Sequence, residues 1–162
     1  MPVAAVLITG MSGTGKSSAL AELERRGYRV VDTDYDGWTE EVPSANGRGF
    51  EPLWREDRID ALLAGHEEGV LFVSGTVPNQ GKFYPRFDEV VLLSAPVSVI
   101  LERIAGRDTN GFGKSDTERE WIVEDIAAVE PLLRAGATRE IDTSATLEEV
   151  VDELERIAYG AG

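Results

Sequence analysis

The sequence predicts an α/β fold, a parallel sheet of five short strands with helices on both faces. Three observations carry that reading. Short apolar runs recur at Val3–Thr9, Tyr28–Asp32, Gly69–Ser74, Glu89–Ser94 and Thr138–Asp142, as expected of strands covered on both sides. Stretches of helical period separate these runs, and that alternation builds a parallel sheet. The first run also passes straight into a glycine-rich turn and then a helix, a strand–turn–helix unit with a chemistry of its own.

That turn reads Gly10-Met11-Ser12-Gly13-Thr14-Gly15-Lys16-Ser17 and fits G-x-x-x-x-G-K-[ST], the sequence form of a phosphate-binding P-loop. Its glycines let the backbone wrap a phosphate chain closely, through conformations that a Cβ obstructs. Lys16 is expected to bring an ammonium to the β and γ phosphates and Ser17 a hydroxyl to Mg²⁺. The helix over Ser17–Arg26 turns its positive N-terminus to the anion. Gly10, Ser12, Gly13, Thr14, Gly15, Lys16, Ser17 and Ser18 are therefore the expected phosphate site. Leu20 and Leu23 give the helix its buried face, and Gly27 ends it.

The second strand closes on Val30-Val31-Asp32-Thr33-Asp34. Residues i and i+2 of a strand share a face, so both carboxylates can project from the carboxyl edge into the crevice beside the P-loop. One can serve the Mg²⁺ shell, through water, and the other can orient or deprotonate an acceptor hydroxyl. Asp36 follows two residues on.

Two segments leave the strand-and-helix rhythm, Asp36–Gly49 and Gly106–Glu118. Both read as long mobile loops of the kind that close over a transferring phosphoryl group. The later helices are legible from their apolar spacing: Val97, Ile100, Leu101 and Ile104; Ile122, Ile126, Val129 and Leu133; Leu147, Val150, Val151, Leu154 and Ile157. Trp121 is expected in the core and Trp38 against an acceptor. Phe83 and Tyr84 are expected to line the crevice, and His66, the only histidine, to lie on the surface.

The 162 residues suit one domain large enough to bury a core, spanning 1–162, with an acceptor-binding segment at about 34–68 and a lid at about 106–118. There is no cysteine, which excludes disulfides and thiolate metal sites. A net charge of −14 opposes general attraction to nucleic acid or to an anionic membrane. Without a targeting segment or an apolar run near membrane-spanning length, a cytoplasmic protein with no obligate protein partner is expected.

The ordered set of motifs resembles the P-loop small-molecule kinases, a group that includes nucleoside monophosphate kinases, shikimate kinases and gluconate kinases. The resemblance runs over nearly the whole chain. It rests on Gly10–Ser17, Asp32-Thr33-Asp34, Trp54-Arg55-Glu56-Asp57-Arg58, Ser74-Gly75-Thr76, Leu101-Glu102-Arg103-Ile104-Ala105-Gly106-Arg107 and Ile141-Asp142-Thr143-Ser144. It implies a three-layer P-loop NTPase fold with strand order 2-3-1-4-5, and phosphoryl transfer from ATP, with Mg²⁺, to a small-molecule acceptor.

It also implies roles. Asp32 would serve the metal with Ser17, and Asp34 the acceptor hydroxyl. Arg58, with Arg55 second, would grip an anionic group of the acceptor, and Gly75 and Thr76 would border it. Arg107 would lie along the adenine ring, Thr143 and Ser144 would meet the base edge, and Lys114 and Arg119 would be lid cations near the γ-phosphate. Arg103 is the alternative structural arginine of that helix.

The chain departs from shikimate kinases in reading Ser74-Gly75-Thr76-Val77-Pro78-Asn79 where they carry a glycine triplet, so the acceptor stays open. A hydroxyl of a shikimate- or sugar-acid-like compound is the first reading, and a nucleoside monophosphate the second. A nucleotide-dependent switch is a distant third, since no Asn-Lys-x-Asp motif occurs and the strand Val70–Ser74 ends without a carboxylate.

Overall fold

A computed structural model describes residues 3–45, 47, 49–106 and 116–161. In chain order the elements are β1 (Ala4–Thr9), α1 (Lys16–Arg25), β2 (Arg29–Asp32), β3 (Thr39–Pro43), β4 (Phe50–Trp54), α2 (Glu56–Ala64) and β5 (Val70–Ser74). A short 3₁₀ segment (Gln80–Arg86) follows, then β6 (Glu89–Ser94), α3 (Val97–Ala105), α4 (Asp116–Gly136), β7 (Arg139–Asp142) and α5 (Leu147–Ala161).

Five strands form one parallel sheet in the order β2-β5-β1-β6-β7. The numbers differ from the expected 2-3-1-4-5 because β3 and β4 form a separate antiparallel hairpin. Counted without that hairpin, the sheet strands stand second, third, first, fourth and fifth.

Alternation along β1 explains the layering. Ala4, Val6 and Ile8 face α1 and α5 and pack with Leu20, Leu23, Val151 and Leu154. Ala5 and Leu7 face the other side, where Ile59 and Leu62 of α2 join Trp54, Phe83 and Phe87. A third cluster joins Ile100 and Ile104 of α3 to Ile122 and Ile126 of α4, with Met11 of the P-loop against it.

The hairpin corrects the expectation of a mobile loop over residues 36–49. Its register pairs Thr39 with Trp54 and Pro43 with Phe50. Gly47 and Gly49 take the left-handed angles of its turn, φ 74° and 88°, and Ser44 N donates to Gly49 O at 2.8 Å. Of the other loop, residues 107–115 lie outside the described residues, and with them Arg107 and Lys114.

Three smaller expectations also change. Trp121 is 38% exposed, because the buried stripe of α4 runs through its neighbour Ile122 and then Ile126 and Leu133. Phe83 is buried against Trp54 with ring centroids 5.8 Å apart, and Tyr84 packs on the same cluster, so both belong to the core. His66 is half-buried. With its proton on Nε2 it donates to Gly69 O (2.8 Å) and Ala4 O (3.1 Å), tying β1 to β5 at the sheet edge away from the P-loop. Among the described residues no helix is long and apolar enough to cross a membrane.

Candidate active site

The P-loop is held in shape from several sides. Gly10 has φ 155°, and a Cβ there would stand 2.4 Å from Leu93 O, so the strand-to-loop exit excludes any larger residue. The buried Thr14 closes the turn by donating from Oγ1 to Met11 O at 2.7 Å. Lys16 Nζ reaches back across the loop to Gly10 O (2.5 Å) and Met11 O (3.2 Å).

Thr76 anchors the first glycine. Its Oγ1 donates to Gly10 O at 2.6 Å and accepts from Gly10 N at 3.1 Å. Behind it stands Thr9 Oγ1, 3.1 Å away, which accepts from the buried Gln80 Nε2 at 3.0 Å. Thr76 is thus a strut of the P-loop as well as part of its border. Gly75, the other expected acceptor contact, is enclosed: a Cβ there would meet Thr33 Oγ1 at 2.4 Å and Trp54 Nε1 at 3.1 Å.

The Asp32-Thr33-Asp34 stretch is fixed through its middle residue. Thr33 is buried, donates from Oγ1 to Ser74 O at 2.8 Å, and accepts from Trp54 Nε1 at 2.9 Å. The aspartates on either side are thereby turned outward. Ser17 Oγ donates to Asp32 Oδ2 at 3.1 Å, and Asp34 N donates to Asp32 Oδ1 at 3.1 Å. Ser17 and Asp32 thus present two oxygen ligands side by side at the end of the P-loop. That small, all-oxygen set suits Mg²⁺, which keeps several of its waters.

Asp34 stands apart from this pair and faces a cavity of about 320 Å³. Gly10, Ser12 and Lys16 form the P-loop side of this cavity, and Met11, Pro52, Ile122 and Ile126 give it apolar walls. Thr76 and Asp125 complete it. Asp34 keeps contact with solvent, and its partial desolvation raises its pKa above the ordinary carboxylate value; the Asp32 charge adds to the shift and Lys16 opposes it. Pro52, Asp125 and the two isoleucines are site residues that the sequence reading did not select.

On the far side of the P-loop, a cavity of about 260 Å³ is bordered by Thr14, Gly15, Ser18, Arg103 and Thr143. Arg103 holds it together. Its Nη1 donates to Gly13 O (3.2 Å) and Thr143 Oγ1 (3.0 Å), and its Nη2 to Thr143 O (2.6 Å). Thr143 is buried, and its N–H donates to Ser94 O at 2.7 Å; Ser144 is exposed beside it. Arg103→Met is expected to weaken Mg·ATP binding roughly tenfold, about the effect of one charge-assisted hydrogen bond. Calorimetric titration checks this, with Arg103→Lys, which keeps the charge and loses the fork, expected in between.

Among the described residues, three of the expected arginines do not line the P-loop cavity. Arg119 is exposed with Glu120, Val123 and Glu124 in a shallow depression, one turn of α4 short of the residues that reach the P-loop cavity. Arg55 stands 3.9 Å from Glu40 across the hairpin. Arg58 borders a separate groove of about 660 Å³ with Ser17, Asp32, Asp36 and Trp38.

A parallel α/β sheet with a P-loop at its carboxyl edge, a Ser–Asp oxygen pair and a carboxylate facing the phosphate-side cavity defines a nucleotide-binding P-loop domain of kinase-like architecture. The chain belongs to the AAA domain family, which it matches over residues 6–124, and its fold is that of the P-loop small-molecule kinase superfamily. A protein named "Putative adenylate kinase" from Archaeoglobus fulgidus is 30% identical over 158 residues, 96% of this chain and 82% of that protein. Other curated relatives are named nucleotide-binding proteins, and the chain spans 37% to 55% of their length.

Among solved structures, the shikimate kinase from Acinetobacter baumannii in complex with shikimate shares the fold with a TM-score of 0.67 at 18% identity, over 98% of this chain and 94% of that one. A gluconokinase from Sinorhizobium meliloti gives 0.56 at 21%, over 98% and 95%.

Proposed function

We propose that the protein is a phosphotransferase that moves the γ-phosphoryl group of ATP, with Mg²⁺, to a hydroxyl of a small-molecule acceptor. The observation that carries this reading is Asp34, a carboxylate of raised pKa in the same cavity as Gly10, Ser12 and Lys16. A base in that position stands where an acceptor hydroxyl must approach the phosphate chain.

Lys16 and the loop amides bind the β and γ phosphates, Ser17 and Asp32 hold the metal's water shell, and Arg103 with Thr143 borders the base. Bound Mg²⁺ supplies neutralisation of the phosphate charge. Asp34 orients the acceptor and accepts its proton as the hydroxyl oxygen bonds to phosphorus and the bond to the ADP oxygen breaks. Met11, Pro52, Ile122 and Ile126 give the acceptor side an apolar lining. Lys114 and Arg119 stand as proposed lid cations near the γ-phosphate, and Arg107 as a proposed contact of the adenine ring.

The test is ADP release from Mg·ATP against a panel of polyols, sugar acids, shikimate, nucleosides and nucleoside monophosphates, with Lys16→Ala as the blank. Acceleration by one hydroxyl compound, lost in Asp34→Asn, is the expected result; no acceleration by any acceptor counts against the reading. The name of the Archaeoglobus relative favours a second reading, a nucleoside monophosphate acceptor. Its oxygen is already anionic and needs no base, so acceleration by a monophosphate would survive Asp34→Asn.

The raised Asp34 pKa also sets a pH dependence. The base works ionised, so kcat/KM is expected to fall with decreasing pH through a pKa above the ordinary aspartate range. A rate profile between pH 4 and 8 checks it, and an acid limb at or below the ordinary value would remove Asp34 from the role of base.

A further inference from the structure

We propose that Arg58 is a positioning residue that clamps the turn carrying Asp34 instead of gripping the acceptor, an inference that rests on the phosphotransfer reading above. Residues 34–38 leave β2 and cross to the hairpin, and the turn is held at both ends. At its start, Asp34 N donates to Asp32 Oδ1 (3.1 Å) and Tyr35 N to Asp32 O (3.3 Å). At its far end, Arg55 N donates to Trp38 O at 2.8 Å, and Arg58 closes the remainder.

Asp36 and Gly37 both take left-handed angles, φ 64° and 77°. Two successive residues of that kind turn two successive carbonyls to one side. Both carbonyls meet Arg58 Nη1, Asp36 O at 2.9 Å and Gly37 O at 2.7 Å. The same guanidinium lies over the Trp38 ring, 4.3 Å from its centroid. Glycine suits the left-handed angle at residue 37, and a Cβ there would crowd Arg58 Nη1 at 3.0 Å. Asp36 has a Cβ, but aspartate is one of the residues that tolerate this angle.

Asp34 begins this turn, and it borders the P-loop cavity whereas Arg58 borders the neighbouring groove. Arg58 therefore acts on the acceptor through the backbone that sets where the Asp34 carboxylate stands. The two hydrogens of Nη1 reach both carbonyls while the planar guanidinium stacks on the indole, and a lysine ammonium lacks the plane to stack.

The test compares Arg58→Lys and Arg58→Ala with wild type, using the best acceptor of the panel. Misplacing the base by a fraction of an ångström to 1 Å is expected to lower kcat roughly 10- to 100-fold, with little change in acceptor KM or in Mg·ATP affinity. Arg58→Lys stays below wild type, and added guanidinium restores part of the Arg58→Ala rate. Combining Arg58→Ala with Asp34→Asn lowers the residual rate no further, because both losses run through one carboxylate.

A raised KM at unchanged kcat, or a double variant with additive losses, overturns the proposal in favour of a direct grip on the acceptor. If wild type turns over no acceptor, the phosphotransfer reading fails on its own account, and hydrogen exchange judges the clamp. Faster exchange over residues 34–38 in Arg58→Ala, with Mg·ATP binding retained, supports it. Unchanged exchange there overturns it.

Discussion

Asp34→Asn is expected to lower kcat for a hydroxyl acceptor by roughly 10²- to 10⁴-fold, the usual contribution of a positioned base, and to leave Mg·ATP affinity almost unchanged. The two effects separate because Asp34 borders the acceptor side of the cavity, while Ser17 and Asp32 form the oxygen pair at the end of the P-loop. ADP release and calorimetric titration on the same preparation measure them together.

Stability should move the other way. The folded-state pKa of Asp34 is raised, so the folded chain binds that proton more tightly than the unfolded chain does. Stability then falls as pH rises from the unfolded pKa through the folded one, and the ionised carboxylate opposes folding at neutral pH. Removing the charge relieves that opposition. Asp34→Asn should therefore melt at or above the wild-type temperature at pH 7 and show no such gain near pH 3. A variant that loses both activity and stability at pH 7 would point to a structural part for Asp34 in place of a chemical one.

Trp54→Ala carries the largest expected cost to folding, about 3–5 kcal/mol, the range for deleting a buried aromatic side chain. The ring is 1% exposed, meets Phe83 edge-on, and donates to Thr33 Oγ1 from its Nε1. Its backbone is held as well, since Trp54 N donates to Asn79 Oδ1 (2.9 Å) and Asn79 Nδ2 donates to Trp54 O (3.0 Å). Trp54→Phe should recover most of the loss while still lacking the bond to Thr33. Denaturant midpoints measure both, and a loss in Trp54→Ala no greater than in Trp54→Phe would mean that the hydrogen bond, and not the packing, holds this corner.

The central strands β1, β5 and β6 were legible because each is an apolar run buried almost throughout, while the edge strands β2 and β7, only partly buried, were legible from their place between helical stretches. The P-loop was legible because its glycines and lysine keep a fixed spacing. The hairpin was not. Thr39-Glu40-Glu41-Val42-Pro43 is charged, mostly solvent-facing and ends in proline, so neither apolar alternation nor a buried run marks it as a strand.

At the site, the Asp32–Ser17 pair could be anticipated because a strand end and a P-loop share one sheet edge. The side-chain destinations of the arginines could not. Arg58 and Arg103 each make contacts with backbone carbonyls, and no sequence pattern records which carbonyls a fold turns toward a given helix. The walls formed by Pro52, Ile122 and Ile126 were hidden for a related reason, since those residues come from elements that meet only in three dimensions.

The hairpin shares no ladder with the large sheet, and a two-stranded ribbon alone is only marginally stable in water. It is secured at its root, through Trp54 and the contacts of Asn79. On the phosphotransfer reading proposed above, the sheet and P-loop take the nucleotide, and the hairpin adds the Pro52 wall on the acceptor side. Changes of length or sequence beyond Pro52 can alter what the cavity admits without disturbing the strands that hold the phosphate chain.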